Sequence, residues 1–191
     1  MQSKHPVIEE LLTPRLRMTP ARLADLHRMH AHWIKAEVRQ HLWDGRIISG
    51  DDAWDAISDS LELEIGFGMG LLCLFEKKSG TFAGVSGLVR LSKINPEAEP
   101  EIIFSLEPHY WHMGLAHEAA SAVLAYAFNT LQLPRVRGGH DVENVRSLRV
   151  LQRLGMQPIA HGPVRGLPYM QVTHEDFMRS HMRTQPLQKV L

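Results

Sequence analysis

One cysteine, Cys73, is all that the chain contains. A lone sulfur excludes an intrachain disulfide and any thiolate cage for zinc, since each needs several cysteines. Cys73 stands inside the apolar run 71–75, the setting of a core residue rather than of a nucleophile. The chain also lacks an excess of either charge: Lys plus Arg and Asp plus Glu each total 21, so the broad basic field that draws nucleic acid is missing. No apolar run approaches the roughly 20 residues that a membrane span needs, and residues 1–6 are polar. The expectation is therefore a cytoplasmic protein with neither signal peptide nor membrane helix. Repeats, low-complexity blocks and divisive linkers are also missing, so the 191 residues are expected to form one domain over 1–191.

The composition is that of an ordinary globular protein, with 44% hydrophobic and 22% charged residues. Function must then be read from local patterns. Residues 11–19 alternate apolar and polar and predict a first strand closed by Pro20. Helical spacing follows over 21–32 and again over 52–63, after Gly45 and Gly50, while Gly66, Gly68 and Gly70 punctuate the chain beyond. Two apolar runs, 71–75 and 82–91, joined by Lys77, Lys78, Ser79 and Gly80, read as an antiparallel hairpin. A third strand is predicted over 101–106. Residues 114–131 then carry a long apolar face at helical spacing.

Farther on, 135–142 reads as a strand and 145–154 as a helix with Val145, Leu148, Leu151 and Leu154 on one face, stopped by Gly155. Two short strands are expected in 157–174 around Gly162, Pro163, Gly166 and Pro168, and a polar tail from 175 to the end. This order implies a mixed sheet with helices packed on it, α/β or α+β in class.

The most informative segment is 108–119, Pro-His-Tyr-Trp-His-Met-Gly-Leu-Ala-His-Glu-Ala, a loop leading from a strand into the long helix. The first turn of a helix has unpaired N–H groups and the positive end of the macrodipole, so small residues such as Gly114 and Ala116 there would admit a phosphate to the backbone. Taken alone, the segment leaves two readings open, an anion site and a tight turn eased by Gly114.

Trp111-His112-Met113-Gly114-Leu115-Ala116 resembles the pyrophosphate loop of the GNAT acetyltransferases, usually written Arg/Gln-x-x-Gly-x-Gly/Ala. In the ribosomal-protein-alanine acetyltransferase branch the loop reads roughly Trp-Gly-x-Gly-Tyr-Ala-x-Glu-Ala. Trp111, Gly114, Ala116, Glu118 and Ala119 stand in the matching places, and His112 replaces the earlier glycine. Leu12-Thr13-Pro14-Arg15-Leu16 is similar to that branch's opening strand, and Asn144-x-x-Ser147 with Leu154-Gly155-Met156 to its last helix. The resemblance spans about residues 11–178.

The resemblance implies a mostly antiparallel sheet splayed between its fourth and fifth strands, with 101–106 as the fourth. It implies acetyl-CoA as cosubstrate and no metal. The backbone of Phe104, Ser105 and Leu106 would pair with the pantetheine arm, and His112, Met113, Gly114, Leu115 and Ala116 would hold the pyrophosphate. Glu101 would be the base that frees the amine, unless it is only an edge carboxylate. Ser147 would supply a proton or hydrogen bond toward the departing sulfur, and Asn144 would bond the pantetheine arm, unless it is only the helix N-cap. Leu151 occupies the place where many relatives carry a tyrosine acid; Tyr169 is a substitute or merely an aromatic on a late strand.

The acceptor implied is a protein N-terminal amine, with amino acids, polyamines or aminoglycosides as alternatives. Nucleic acid and membrane are not expected as partners, and monomer or homodimer stays open. Trp33, Trp43 and Trp54 stand between lining an acceptor cleft and packing in a core.

Rival chemistries fail on spacing. His27, His30 and His32 lack accompanying carboxylate or cysteine ligands, and His117-Glu118 begins like a zinc-protease helix but has Ser121 where the second histidine must stand. Gly84-Val85-Ser86-Gly87-Leu88 lacks the last glycine of a nucleophile elbow. Arg146, Arg149 and Arg153 form a basic helix face, either solvated or directed at the CoA phosphates. A chain that binds acyl-CoA without turnover, as a sensor or scaffold, is the second functional reading.

Overall fold

The computed structural model describes residues 6, 8–90, 99–160, 162, 164 and 166–184. The polar start over 1–5, Pro163 and the end of the expected tail over 185–191 lie outside the described residues. Eight strands form a single sheet in the order β1-β2-β3-β4-β5-β6-β8-β7. They are β1 (Leu11–Leu12), β2 (Leu16–Pro20), β3 (Leu71–Glu76), β4 (Phe82–Val89), β5 (Glu101–Leu106), β6 (Arg135–Gly139), β7 (Gln157–Ile159) and β8 (Tyr169–Thr173). The helices are α1 (Leu26–Trp33), α2 (Ala36–Arg39), α3 (Gly50–Phe67), α4 (Leu115–Asn129), α5 (Val145–Arg153) and α6 (His174–Thr184).

Period-2 alternation sorts the strand side chains onto two faces. Leu72 and Leu74 of β3 join one cluster, with Leu115, Val123, Leu124 and Phe128 of α4. Leu71, Cys73 and Phe75 join the other, with Met29 and Trp33 of α1 and Ala53 and Ile57 of α3. A strand covered on both faces has no side left for water, which is why 71–75 is apolar throughout. Cys73 is buried, and burial pushes its thiol up to about 12, as befits the core residue expected. Ser86 is likewise interior to β4, its hydroxyl donating to the Ile103 carbonyl at 2.9 Å.

Helix ends follow local chemistry. Ser49 caps α3 by accepting from the Asp52 amide, and Gly68, at φ 68°, closes it in the left-handed conformation that costs glycine nothing. Gly50 and Gly66 therefore lie within α3 rather than outside it. Among the described residues no helix is long and apolar enough to cross a membrane.

Several expectations need correction. The single strand predicted over 11–19 is the two strands β1 and β2, folded back on each other, because Thr13 and Leu16 close a turn at 3.0 Å around Pro14. The tail predicted from 175 begins instead with α6. Thr173 and Asp176 cap that helix, and Phe177, 2% exposed, packs its ring 5.0 Å from that of Phe128. Val145 is 48% exposed, so the apolar face of α5 rests on Leu148, Leu151 and Leu154. Trp33 packs edge-on against Trp43 at 5.5 Å, and Trp54 is exposed. The short helix α2 and the turn Trp43–Gly45, with Trp43 and Asp44 both at positive φ, had no apolar period to announce them.

Phe177→Ala should lower stability by about 3–5 kcal/mol, the usual cost of removing a buried aromatic ring. Chemical denaturation would read it as a lower midpoint with an unchanged slope.

Candidate active site

The strands β5 and β6 are the one parallel pair among the described strands, and they register only at Glu101↔Arg137 before diverging. Alternate residues of a strand bond to opposite neighbours. The Glu107 amide bonds to the carbonyl of Ala83 in β4, while the carbonyls of Pro100 and Leu106 bond on the other side, to the Arg137 amide and the Trp111 indole. That parity turns the backbone of Ile102 and Phe104 into the gap. It turns the backbone of Ser105 toward β4, and the Leu106 carbonyl is already engaged at 2.8 Å. Of the residues 104–106 expected to pair there, this parity leaves Phe104 and the Leu106 amide facing the gap and turns Ser105 away from it.

The gap opens into a cavity of about 450 Å³ lined by Glu101, Phe104, Ser105, Leu106, His112, Gly114, Leu115, Ala116, Asn144 and Ser147. All these residues were expected at the site. Met113 is the exception: it is 52% exposed, and its carbonyl accepts from Arg15 Nη1 at 2.8 Å.

At the mouth stands the first turn of α4, which carries no side-chain cap, so its leading N–H groups remain available to an anion. Gly114 precedes it at φ 77°; a Cβ there would meet only Arg15 Nη2 at 3.6 Å, so backbone angle rather than space demands glycine. His112, at φ 63°, adopts the left-handed conformation that glycine takes freely, at a cost of about 1–2 kcal/mol.

The loop is held from behind. Glu118 accepts from the Thr13 hydroxyl at 2.6 Å and from the Arg15 amide at 2.8 Å and guanidinium at 2.6 Å. Burial alone would raise its carboxyl, but these donors hold it below its ordinary value. Two motifs over a hundred residues apart are therefore halves of one clamp. On the other rim, Arg146 lies 4.2 Å over the Trp111 ring, and Arg149 and Arg153 line the cavity beside it.

Glu101 lines the opposite end and is only 4% exposed. Burial pushes its carboxyl up to about 7, against the opposing pull of the Arg137 charge and the neighbouring Tyr169 hydroxyl. Tyr169, also at the cavity wall, is itself pushed up to about 12 by burial and then by the Glu101 charge. Its hydroxyl is buried yet closes no hydrogen bond of full geometry. Glu37 and a 2.9 Å pair of His41 Nδ1 with Asp141 also line the cavity. Asn144 spends its side-chain oxygen capping α5, accepting from the Ser147 amide at 3.0 Å, which leaves its NH₂ for the cavity.

A split parallel pair with an uncapped helix start at its mouth matches the sequence resemblance. The family profile described as the acetyltransferase (GNAT) domain matches residues 15–157. The chain belongs to this family. Its relatives include the uncharacterised protein YkkB of Bacillus subtilis (strain 168), 34% identical over 93 residues. That match covers 49% of this chain and 54% of YkkB, so the chain spans about half the length of that relative. The uncharacterised N-acetyltransferase p20 of Bacillus licheniformis is 25% identical over 150 residues, 78% of this chain and 83% of p20. The crystal structure of the acetyltransferase from Agrobacterium tumefaciens str. C58 shares the fold, with a TM-score of 0.76 and 23% identity over 90% of this chain and 98% of that one. The GNAT fold places the splay where the resemblance implied, between the strands here numbered β5 and β6.

Sequence reasoning missed Arg15 as the loop's support, the closeness of Tyr169 to Glu101, and His32 and Glu107, treated below. The Thr13-Pro14-Arg15 and Glu118 motifs were visible, but nothing in spacing says that they touch. Among the described residues no group of three or more His, Cys, Asp or Glu is arranged to hold a metal.

The raised Glu101 carboxyl fixes a sign. The fold holds this proton more tightly than the unfolded chain does, so stability falls as pH rises from the ordinary value near 4.5 to about 7. Glu101→Gln removes that loss. The variant should match wild type below about pH 4 and exceed it by up to about 3 kcal/mol above about pH 8, read from denaturation midpoints.

Proposed function

We propose that the protein transfers an acetyl group from acetyl-CoA to a primary amine by direct attack in a ternary complex. The observation that carries this reading is the splay of β5 from β6 beneath the uncapped start of α4. The backbone amides at 114–116, beside His112, would take the pyrophosphate, with Arg146, Arg149 and Arg153 balancing phosphate charge. Ile102 and Phe104 would add the pantetheine amides to the open edge of β5 as a further strand.

Glu101 would remove the proton from the attacking amine. A base is most useful when its pKa lies near the working pH, and burial has moved this carboxyl to about 7. Ser147 would return a proton toward the leaving thiolate; among the described residues its hydroxyl has no partner of its own. Tyr169 is the other proton source at the wall, in keeping with the loss of the helix tyrosine at Leu151. The carboxylates of Glu37, Glu101 and Asp141 in the cavity lining favour an amine with further positive charge. Trp111 and Glu118 favour the ribosomal-protein-alanine branch and so an N-terminal amine. A panel of N-terminal peptides and polyamines separates the two.

Calorimetric titration with acetyl-CoA should give micromolar binding that Gly114→Glu abolishes, since the new carboxylate would occupy the phosphate position. No binding by the folded wild type would sink the proposal; binding without turnover on any amine would favour a sensor. With an accepted amine, kcat/KM should rise with pH through an apparent pKa near 7, following ionisation of Glu101. Glu101→Gln should lower kcat about 100-fold and remove that limb.

A further inference from the structure

A second set of groups stands at the cavity wall, four residues along β5 from Glu101. His32 of α1 is wholly buried, at 0% exposure. Its Nδ1 lies 3.0 Å from Glu107 Oε1, and its Nε2 lies 2.9 Å from the Ser105 hydroxyl. Burial alone would raise the Glu107 carboxyl, but the Lys35 ammonium and His32 hold it below its ordinary value, so it is ionised. An ionised carboxylate can only accept, which puts the imidazole proton on Nδ1 and a lone pair on Nε2. Ser105 must therefore donate to the ring. Burial holds His32 below its own ordinary value, so the ring is neutral and able to take that proton.

Carboxylate, imidazole and hydroxyl thus stand in line, and of the three residues only Ser105 lines the cavity. This is the order of groups that makes a serine hydroxyl nucleophilic: the carboxylate sets the tautomer, the ring accepts the proton, and the oxygen faces the substrate.

We propose that Ser105 is an acyl-accepting nucleophile, with His32 as its base and Glu107 as the group that orients His32, so that the cavity splits acetyl thioesters when no amine is bound. The Ser105 oxygen bonds to the thioester carbonyl carbon as its proton passes to His32 Nε2. The C–S bond then breaks, the thiolate takes that proton, and an acetyl ester remains on Ser105. Water attacks the ester by the same route, releasing acetate and restoring the hydroxyl. No electrons are exchanged, and water is the only further reactant.

This proposal rests on the acetyl-CoA reading for its natural donor, and the test separates the two. The full chain is incubated with acetyl-CoA and no amine, thiol release is followed, and the protein is mapped by mass spectrometry. One acetyl group on Ser105 with steady thiol release is expected, both lost in Ser105→Ala and release lowered about 100-fold in His32→Gln. Calorimetric binding of acetyl-CoA without thiol release, or equal release from Ser105→Ala, would overturn the nucleophile and leave the acetyltransferase intact. Should acetyl-CoA not bind, 4-nitrophenyl acetate decides. Acetylation of Ser105 that needs His32 supports the nucleophile; its failure in wild type removes it. Circular dichroism of His32→Gln reports whether that variant is folded, and Ser105→Ala, which removes a single oxygen, keeps the comparison valid if it is not.

Discussion

An unpaired strand edge inside a folded protein is the constraint from which the rest of this site follows. The strands β5 and β6 meet at Glu101↔Arg137 and part, leaving the backbone polar groups of Ile102 and Phe104 directed into a cavity. Backbone N–H and C=O groups removed from water need partners, and an edge without a neighbouring strand is a template for one. An extended ligand with its own amides satisfies that edge in a way that a compact one cannot. The diverging strands also create the volume that Glu101, Tyr169, Ser105 and Ser147 line.

Positioning the anion end depends on a contact between distant parts of the chain. The first turn of α4 offers donors only if the loop before it is held open, and that loop contains a strained non-glycine residue, His112. Strain of this kind persists where the surroundings over-determine the backbone. Here the over-determination comes from Arg15, which bonds the Met113 carbonyl and Glu118 together and so ties the β1–β2 turn to both sides of Gly114.

Two glutamates near opposite ends of β5 show how surroundings assign chemistry to identical side chains. Glu101 is buried, with the guanidinium of Arg137 too weak an influence to offset the loss of water, and it is moved toward neutrality. Glu107 also loses water, but Lys35 and His32 bond to it directly, and it stays charged. The first is suited to exchanging a proton near neutral pH. The second is suited to holding a histidine in one tautomer, and pairs of titratable groups driven apart in this way mark acid, base and orienting roles.

The strands β3, β4 and β5 and the helices α4 and α5 were legible in the sequence because each carries its own period or its own cap, and such signals are local. The loop 111–116 was legible as a candidate anion site because its glycine and small residues answer a local demand, close backbone approach at a helix start. The segments α2 and α6 were not: α2 is a single turn, and α6 looks polar apart from Phe177 and two methionines, the burial of Phe177 depending on Phe128 from another helix. By itself the sequence determined which elements form and where a phosphate could approach the backbone, since φ preferences, caps and periodicity act over a few residues. The tertiary structure alone decided which side chains meet. The pairing of Glu118 with Arg15, the dryness of Glu101 and the alignment of Glu107, His32 and Ser105 are set by packing between residues far apart along the chain, where spacing carries no information.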